Sequence, residues 1–193
     1  MKIRRIVSRK IKKSNKLVPD NDICIKGSVQ LSSDKSLSIR SVLFASIAYG
    51  ISHIKINNPG EDALTSIMAI KKLGIKVTQS DNQYTIYGLG IGYPSLKKRL
   101  LINCRNSGTT LRLLTPLIAG SKVNAKIIGD HSLSKRPYRL EFLKEFLMNV
   151  KPTKKRFLPL MINGHANCVK AEIKINKPSA QMVSAATLAG ISS

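Results

Sequence analysis

Apolar positions change period along this chain in an order that recurs. In DKSLSIRSVLFASIAYG, from Asp34 to Gly50, the residues Leu37, Val42, Leu43, Ala45, Ile47 and Ala48 form a broad stripe at helical spacing. Gly50 is expected to end that helix. SHIKI (52–56) then alternates as a short strand. EDALTSIMAIKKLG (61–74) predicts a second helix, with Glu61 and Asp62 in its first turn and Lys71, Lys72 and Gly74 at its end. That placement complements a helix dipole. IKVTQ (75–79) and QYTIYG (83–88) read as strands.

The same order then returns. NSGTTLRLLTPLIAG (106–120) predicts a helix ending at Gly120, AKIIGD (125–130) a strand and YRLEFLKEFLMN (138–149) an amphipathic helix. LPLMING (158–164) and VKAEIKI (169–175) predict strands. SAQMVSAATLAG (179–190) opens a third round as a helix ending at Gly190. Gly50, Gly120 and Gly190 each stand 70 residues from the next. This period is too long for a solenoid and fits a βαβαββ-type unit used around one core. The third copy stops after its first helix, so the expected fold is α/β with an incomplete last unit.

The first helix of each round opens on small polar residues. The first opens on Asp34, Lys35 and Ser36, with Arg40 four residues after Ser36. The second opens on Asn106, Ser107, Gly108, Thr109 and Thr110, with Arg112 close behind. The third opens on Ser179, Ala180 and Gln181. Helix N-termini present unpaired N–H groups and partial positive charge, so they attract anions. Such residues also cap helices everywhere. Equivalent placement in three rounds, twice with a cation nearby, shifts the reading towards an oxyanion or phosphate cradle. GDHSLSKRPYR (129–139) adds Lys135 and Arg136 before a helix that has Pro137 near its start. Arg136 suits bidentate contact with a carboxylate or phosphate.

Composition narrows the partners. The chain has 193 residues, a net charge of +23 and 42% hydrophobic residues, enough for a sizeable core. Aromatics make up 5% and Trp is absent, which argues against a stacking platform for single-stranded nucleic acid. The charge favours anionic partners, although scattered lysines also serve as plain solvated surface. Cys24, Cys104 and Cys168 lack metal-ligand spacing and read as reduced, partly buried thiols. No apolar run is long enough to span a membrane. The start, MKIRRIVSRKIKKSNK, lacks the apolar stretch of a signal peptide, and residues 1–20 are expected as a basic tail or edge strand. GLGIG (88–92) leads to Pro94 rather than to a helix and reads as a turn. His53, His131 and His165 read as structural, and KKRLL and KPTKKR as solvated charge.

At its helix mouths the chain resembles the 5-enolpyruvylshikimate-3-phosphate synthase family. The family pattern P-G-D-K-S-x-S-x-R stands here as Ser32-Ser33-Asp34-Lys35-Ser36-Leu37-Ser38-Ile39-Arg40. N-[AS]-G-T-x-x-R is intact as Asn106 to Arg112, G-D-x-S-L-x-x-R-P as Gly129 to Pro137, and S-A-Q as Ser179-Ala180-Gln181. The resemblance implies the enolpyruvyl transferase fold, two lobes of three βαβαββ units each. This chain would supply one incomplete lobe at 21–193, with units about 21–100, 101–175 and 176–193.

The implied activity is transfer of the enolpyruvyl group of phosphoenolpyruvate to the 5-hydroxyl of shikimate-3-phosphate, with release of phosphate, in aromatic amino acid biosynthesis. By resemblance, Lys35, Ser36, Arg40, Ser179 and Gln181 hold shikimate-3-phosphate. Lys35, Gly108, Arg136 and Gln181 hold phosphoenolpyruvate, and Asn106, Thr109 and Arg112 shape its pocket. No cofactor or metal is implied. The acid–base carboxylates are expected in a second lobe, so no catalytic residue is assigned to this chain. The family is cytoplasmic and usually monomeric, with small anionic substrates rather than nucleic acid or membrane as partners. Ser32 and Ser33 replace Pro-Gly, Ile39 replaces a usual His, and Leu113 stands where many members have Pro. Two other readings stay open: a non-catalytic basic fragment, and a related UDP-N-acetylglucosamine enolpyruvyl transferase.

Overall fold

Asp34 starts the first described helix by accepting the Leu37 amide on its carboxylate at 2.7 Å, and α1 runs Lys35–Ile47. The computed structural model describes residues 31–193, apart from 97, 166, 168, 176 and 177. The expected tail at 1–20, Cys24 and Cys168 lie outside the described residues.

Helix α1 passes almost directly into β1 (Tyr49–Lys55). Gly50 was expected to close the helix, and it lies inside this strand instead. The helix ends on Ala48, whose amide donates to the Phe44 carbonyl. Gly50 has φ +97°, a backbone that a side chain would strain, and it lets the chain turn out of the helix. Opposite it in the ladder is Gly88, where any Cβ would collide with the carbonyl oxygens of Ala45 and Ala48. Two glycines therefore permit a helix and a strand to share one tight corner.

The second helix, α2 (Glu61–Lys72), keeps its predicted acids and lysines at opposite ends. Strands β2 (Lys76–Ser80) and β3 (Gln83–Leu89) complete an antiparallel sheet of order β1-β3-β2. Ile39, Val42 and Leu43 of α1 and Ile67 and Ile70 of α2 are buried in one core with Tyr84 and Ile86 of β3.

A second sheet follows. Strand β4 (Leu100–Asn103) pairs in parallel with β5 (Asn124–Ile128) across the helix α3 (Gly108–Ala119). Strands β6 (Asn149–Lys154) and β7 (Phe157–Asn163) complete the order β4-β5-β7-β6. The run β5-β7-β6 has the same pairing as β1-β3-β2, with the last strand in sequence in the middle. Ten residues of α3 are buried, because α1, α5 (Ala180–Ile191) and the sheet surround it. Only Gly108 and Arg112 stay more open, and both face the mouth end.

Several expectations are corrected. The helix predicted over 138–149 is not one helix. Asp130 caps a single turn, α4 (His131–Ser134), through the Leu133 amide at 2.7 Å. Pro137 then disfavours helical backbone at the residue before it. A 3₁₀ segment, Glu141–Phe146, is all that remains, closed by Leu147 at φ +57°. The described charges of KKRLL and KPTKKR are exposed, as solvated charge would be, while Leu100 and Leu101 enter β4 and Lys151 to Lys154 lie in β6. Gly190 falls within α5, which ends on Ser192.

VKAEIKI (169–175) forms no strand. It precedes α5 as β4 precedes α3, and β4 pairs with the strand that follows its helix. No described strand follows α5, so 169–175 has no corresponding ladder partner. Among the described residues no helix is long and apolar enough to cross a membrane.

Candidate functional site

The mouth of α3 is largely self-capped. Ser107 accepts the Thr110 amide at 3.3 Å and shares a 2.7 Å hydrogen bond with the Thr110 hydroxyl. The Leu111 amide donates to the Ser107 carbonyl, and the Gly108 amide to the Asn106 carbonyl. Of the first-turn amides, Thr109 alone has no partner among the described residues. The bare N–H cradle expected from NSGTT is therefore reduced to one group. Most of the hydrogen-bonding groups at this end are therefore side chains.

Those side chains converge. Arg112, one turn into α3, donates to the Gln181 Oε1 at 2.9 Å, the Gly108 carbonyl at 3.3 Å and the Pro137 carbonyl at 3.4 Å. Gln181, in the first turn of α5, donates from Nε2 to the Thr109 hydroxyl at 2.7 Å. One guanidinium thus joins the N-termini of α3 and α5 to the loop after α4. Burial is the main influence depressing the pKa of Arg112, and the charges of Arg139 and Arg136 add to it. Neither Arg112 nor Arg136 has a carboxylate partner among the described residues. Cations gathered this way favour an anion between them.

Beside this cluster is a cleft of about 230 Å³ lined by Lys35, Glu61, Asp62, Thr65, Arg105, Asn106 and Arg136. It lies where the first turns of α1 and α2 meet the β4–α3 loop. The Lys35 ammonium is 2.5 Å from the Asp62 carboxylate. Arg136 also donates to the Ser132 hydroxyl at 3.0 Å, which steadies it against the α4 turn. Thr65 is buried, and its hydroxyl has no hydrogen-bond partner among the described residues.

A larger hollow of about 520 Å³ lies elsewhere, lined by residues such as Arg139, Phe142, Arg156 and Lys174. It contains none of the candidate residues, and an Arg156–Glu141 ion pair occupies part of its wall. The smaller cleft has the matching chemistry, so size does not decide between them.

The structure gathers most of the candidate residues and leaves some apart. Lys35, Asn106 and Arg136 line one cleft, while Gly108, Thr109, Arg112 and Gln181 form the adjoining hydrogen-bonded group. Ser36 and Arg40 contact each other, Arg40 donating to the Ser36 carbonyl at 3.3 Å, and not this cleft. Ser179 caps α5 through the Met182 amide. Glu61, Asp62, Thr65 and Arg105 were not identified as site residues from the sequence. The helix dipole alone explains Glu61 and Asp62 in the sequence, and only the fold brings them to the cleft.

Cys104 is fully buried rather than partly so, and desolvation pushes its thiol up to about 12. Burial therefore disfavours the thiolate form. No cluster of metal-ligating side chains occurs among the described residues.

Comparison with known proteins gives the family of the chain. The family model for EPSP synthase (3-phosphoshikimate 1-carboxyvinyltransferase) matches residues 21–193. A 3-phosphoshikimate 1-carboxyvinyltransferase of Streptococcus pyogenes serotype M49 is 36% identical over 170 residues, covering 86% of this chain and 40% of the relative. That of serotype M3 is also 36% identical, with 39% of its length covered. An EPSP synthase structure from Acinetobacter baumannii superposes with a TM-score of 0.77 at 31% identity, covering 85% of this chain and 38% of that one. A second structure of the same enzyme gives 0.74 at 32% identity. The chain therefore spans about 40% of the length of the curated relatives it matches.

Proposed function

This chain belongs to the EPSP synthase family, and we propose that it provides one substrate-holding wall for enolpyruvyl transfer from phosphoenolpyruvate to the 5-hydroxyl of shikimate-3-phosphate. The reading is supported chiefly by the convergence of four motifs distant in sequence. Lys35, Asn106 and Arg136 share a cleft, and Arg112 ties Gly108 and Pro137 to Gln181 beside it.

Both substrates are polyanions, and the wall offers matching charge. Lys35, at the cleft rim, is suited to bridge the two. Ser36, Arg40, Ser179 and Gln181 would complete the shikimate-3-phosphate contacts. Gly108, Arg136 and Gln181 would complete those to phosphoenolpyruvate, with Asn106 and Thr109 shaping its pocket. In the reaction, the 5-hydroxyl oxygen adds to C2 of phosphoenolpyruvate as C3 is protonated. Phosphate then leaves the tetrahedral intermediate and C3 gives up a proton. Fixed cations lower the cost of bringing two anions together, which is a proximity and electrostatic contribution. The acid–base groups are assigned to the part of the family's length that this chain does not span. The lobe is taken as residues 21–193, working in the cytoplasm without a cofactor.

Calorimetric titration of the chain with shikimate-3-phosphate, with and without phosphoenolpyruvate, tests this. Saturable binding that Lys35→Ala abolishes is the expected result. Binding that is equally strong for unrelated polyanions, falls steeply with salt and ignores Lys35→Ala would mean a merely basic surface.

A further inference from the structure

A glutamine amide is ambiguous towards an anion. Its N–H groups attract one and its carbonyl oxygen repels one, and rotation by 180° about the last side-chain bond exchanges them. The surroundings of Gln181 remove that ambiguity. Arg112 can only donate, and it lies 2.9 Å from one amide terminus, so that terminus is the oxygen. The other terminus is then Nε2, and it donates one N–H to the Thr109 hydroxyl at 2.7 Å. Gln181 makes no other side-chain hydrogen bond among the described residues. Its second N–H is left over.

We propose that Arg112 is a positioning residue that fixes the polarity of Gln181, so that the amide offers a donor and never its oxygen to an anionic ligand. The proposal rests on the functional reading above, because it takes Gln181 to face a phosphate or carboxylate. It extends that reading by giving Arg112 and Thr109 separate parts. Arg112 holds the oxygen from one side, and Thr109 accepts the first N–H from the other. Arg112 is itself held on two main-chain carbonyls, Gly108 and Pro137. Three of the four motifs thus act on one amide. Without the guanidinium, the flipped amide would become accessible and would present a lone pair to the anion. The charge of Arg112 also draws anions in general, and that effect does not require Gln181.

Side-chain amide resonances of the ¹⁵N-labelled 193-residue chain, titrated with inorganic phosphate and then phosphoenolpyruvate, separate these effects. The expected result is two inequivalent Gln181 N–H signals. One moves with ligand and the other, bonded to Thr109, stays nearly still. Arg112→Met should weaken phosphoenolpyruvate binding about tenfold and abolish the selective N–H response, and Arg112→Lys should restore much of both.

If the Gly108 and Thr109 backbone signals respond to ligand while both Gln181 N–H signals stay still, the inference is wrong and the reading of the site survives. The inference is equally wrong if the selective response persists in Arg112→Met, since charge alone would then explain the weaker binding. Should no signal at the α3 mouth respond in the unmodified chain, both fall together. The measurement on unmodified protein does not depend on any variant folding.

Discussion

The Lys35 ammonium and the Asp62 carboxylate, 2.5 Å apart, link the first turns of α1 and α2 at the cleft. Lys35 is 65% exposed and Asp62 20%, so the pair contributes at most about 1 kcal/mol to stability. On the proposed reading, an anion entering the cleft competes with Asp62 for the lysine. Asp62→Asn should leave thermal unfolding nearly unchanged and tighten anion binding about three- to tenfold, through one less negative charge at the rim. Calorimetry at two salt concentrations checks this. Weaker binding in the variant would show that Asp62 orients Lys35 rather than competing for it.

Gly108 is constrained by Arg112. A Cβ built on Gly108 would lie 2.8 Å from the Arg112 Nη1, closer than such atoms approach. The guanidinium could move aside only by giving up contacts to Gln181 and Pro137. Gly108→Ala should therefore lower phosphoenolpyruvate affinity about tenfold while costing about 1 kcal/mol or less in stability. The Gln181 amide signals should change even without ligand. Unchanged signals would mean that Arg112 accommodates the methyl group where it stands.

Motif residues were legible in the sequence because each is local: a cap, a cation one turn on, a glycine at a helix start. Helices α1, α2, α3 and α5 were legible from their stripes, as were strands with clear alternation. What depended on distant partners was not. Leu100 and Leu101 form β4 only because β5 lies alongside, and 169–175 has the same apolar alternation without such a partner. The break at Arg136-Pro137 is visible in the sequence but reads equally well as a helix start, since proline serves both ends. Glu61 and Asp62 already had a sufficient local explanation, and only the meeting of α2 with the β4–α3 loop placed them in the cleft.

Thr65 offers a test of what the cleft costs the fold. It is 1% exposed, in the middle of α2, and its hydroxyl is unpaired among the described residues. Burying an unsatisfied hydroxyl costs about 1–3 kcal/mol, and valine has the same shape without it. Thr65→Val should therefore raise stability by about 1 kcal/mol, seen as a higher midpoint in urea with an unchanged slope. A lower midpoint would mean that the hydroxyl is solvated or bonded in solution.

Cys104, at the end of β4, gives a pH signature. Burial pushes its thiol from 9.0 up to about 12, so the folded state keeps the proton that the unfolded chain releases. A group whose folded pKa is raised stabilises fully below its unfolded pKa, and that contribution disappears as pH climbs towards the folded value. Between about pH 9 and pH 12 the chain should lose stability through this residue. Lysines also titrate there, so the informative quantity is the difference from Cys104→Val. That difference should be flat below pH 8 and should shift in favour of the variant above pH 9. With Cys24 and Cys168 replaced by serine, native protein should also resist thiol reagents at pH 8, and denatured protein should react within minutes. Rapid labelling of native protein would show that β4 opens readily, and the buried thiol would then be a poor guide to the stability of the second sheet.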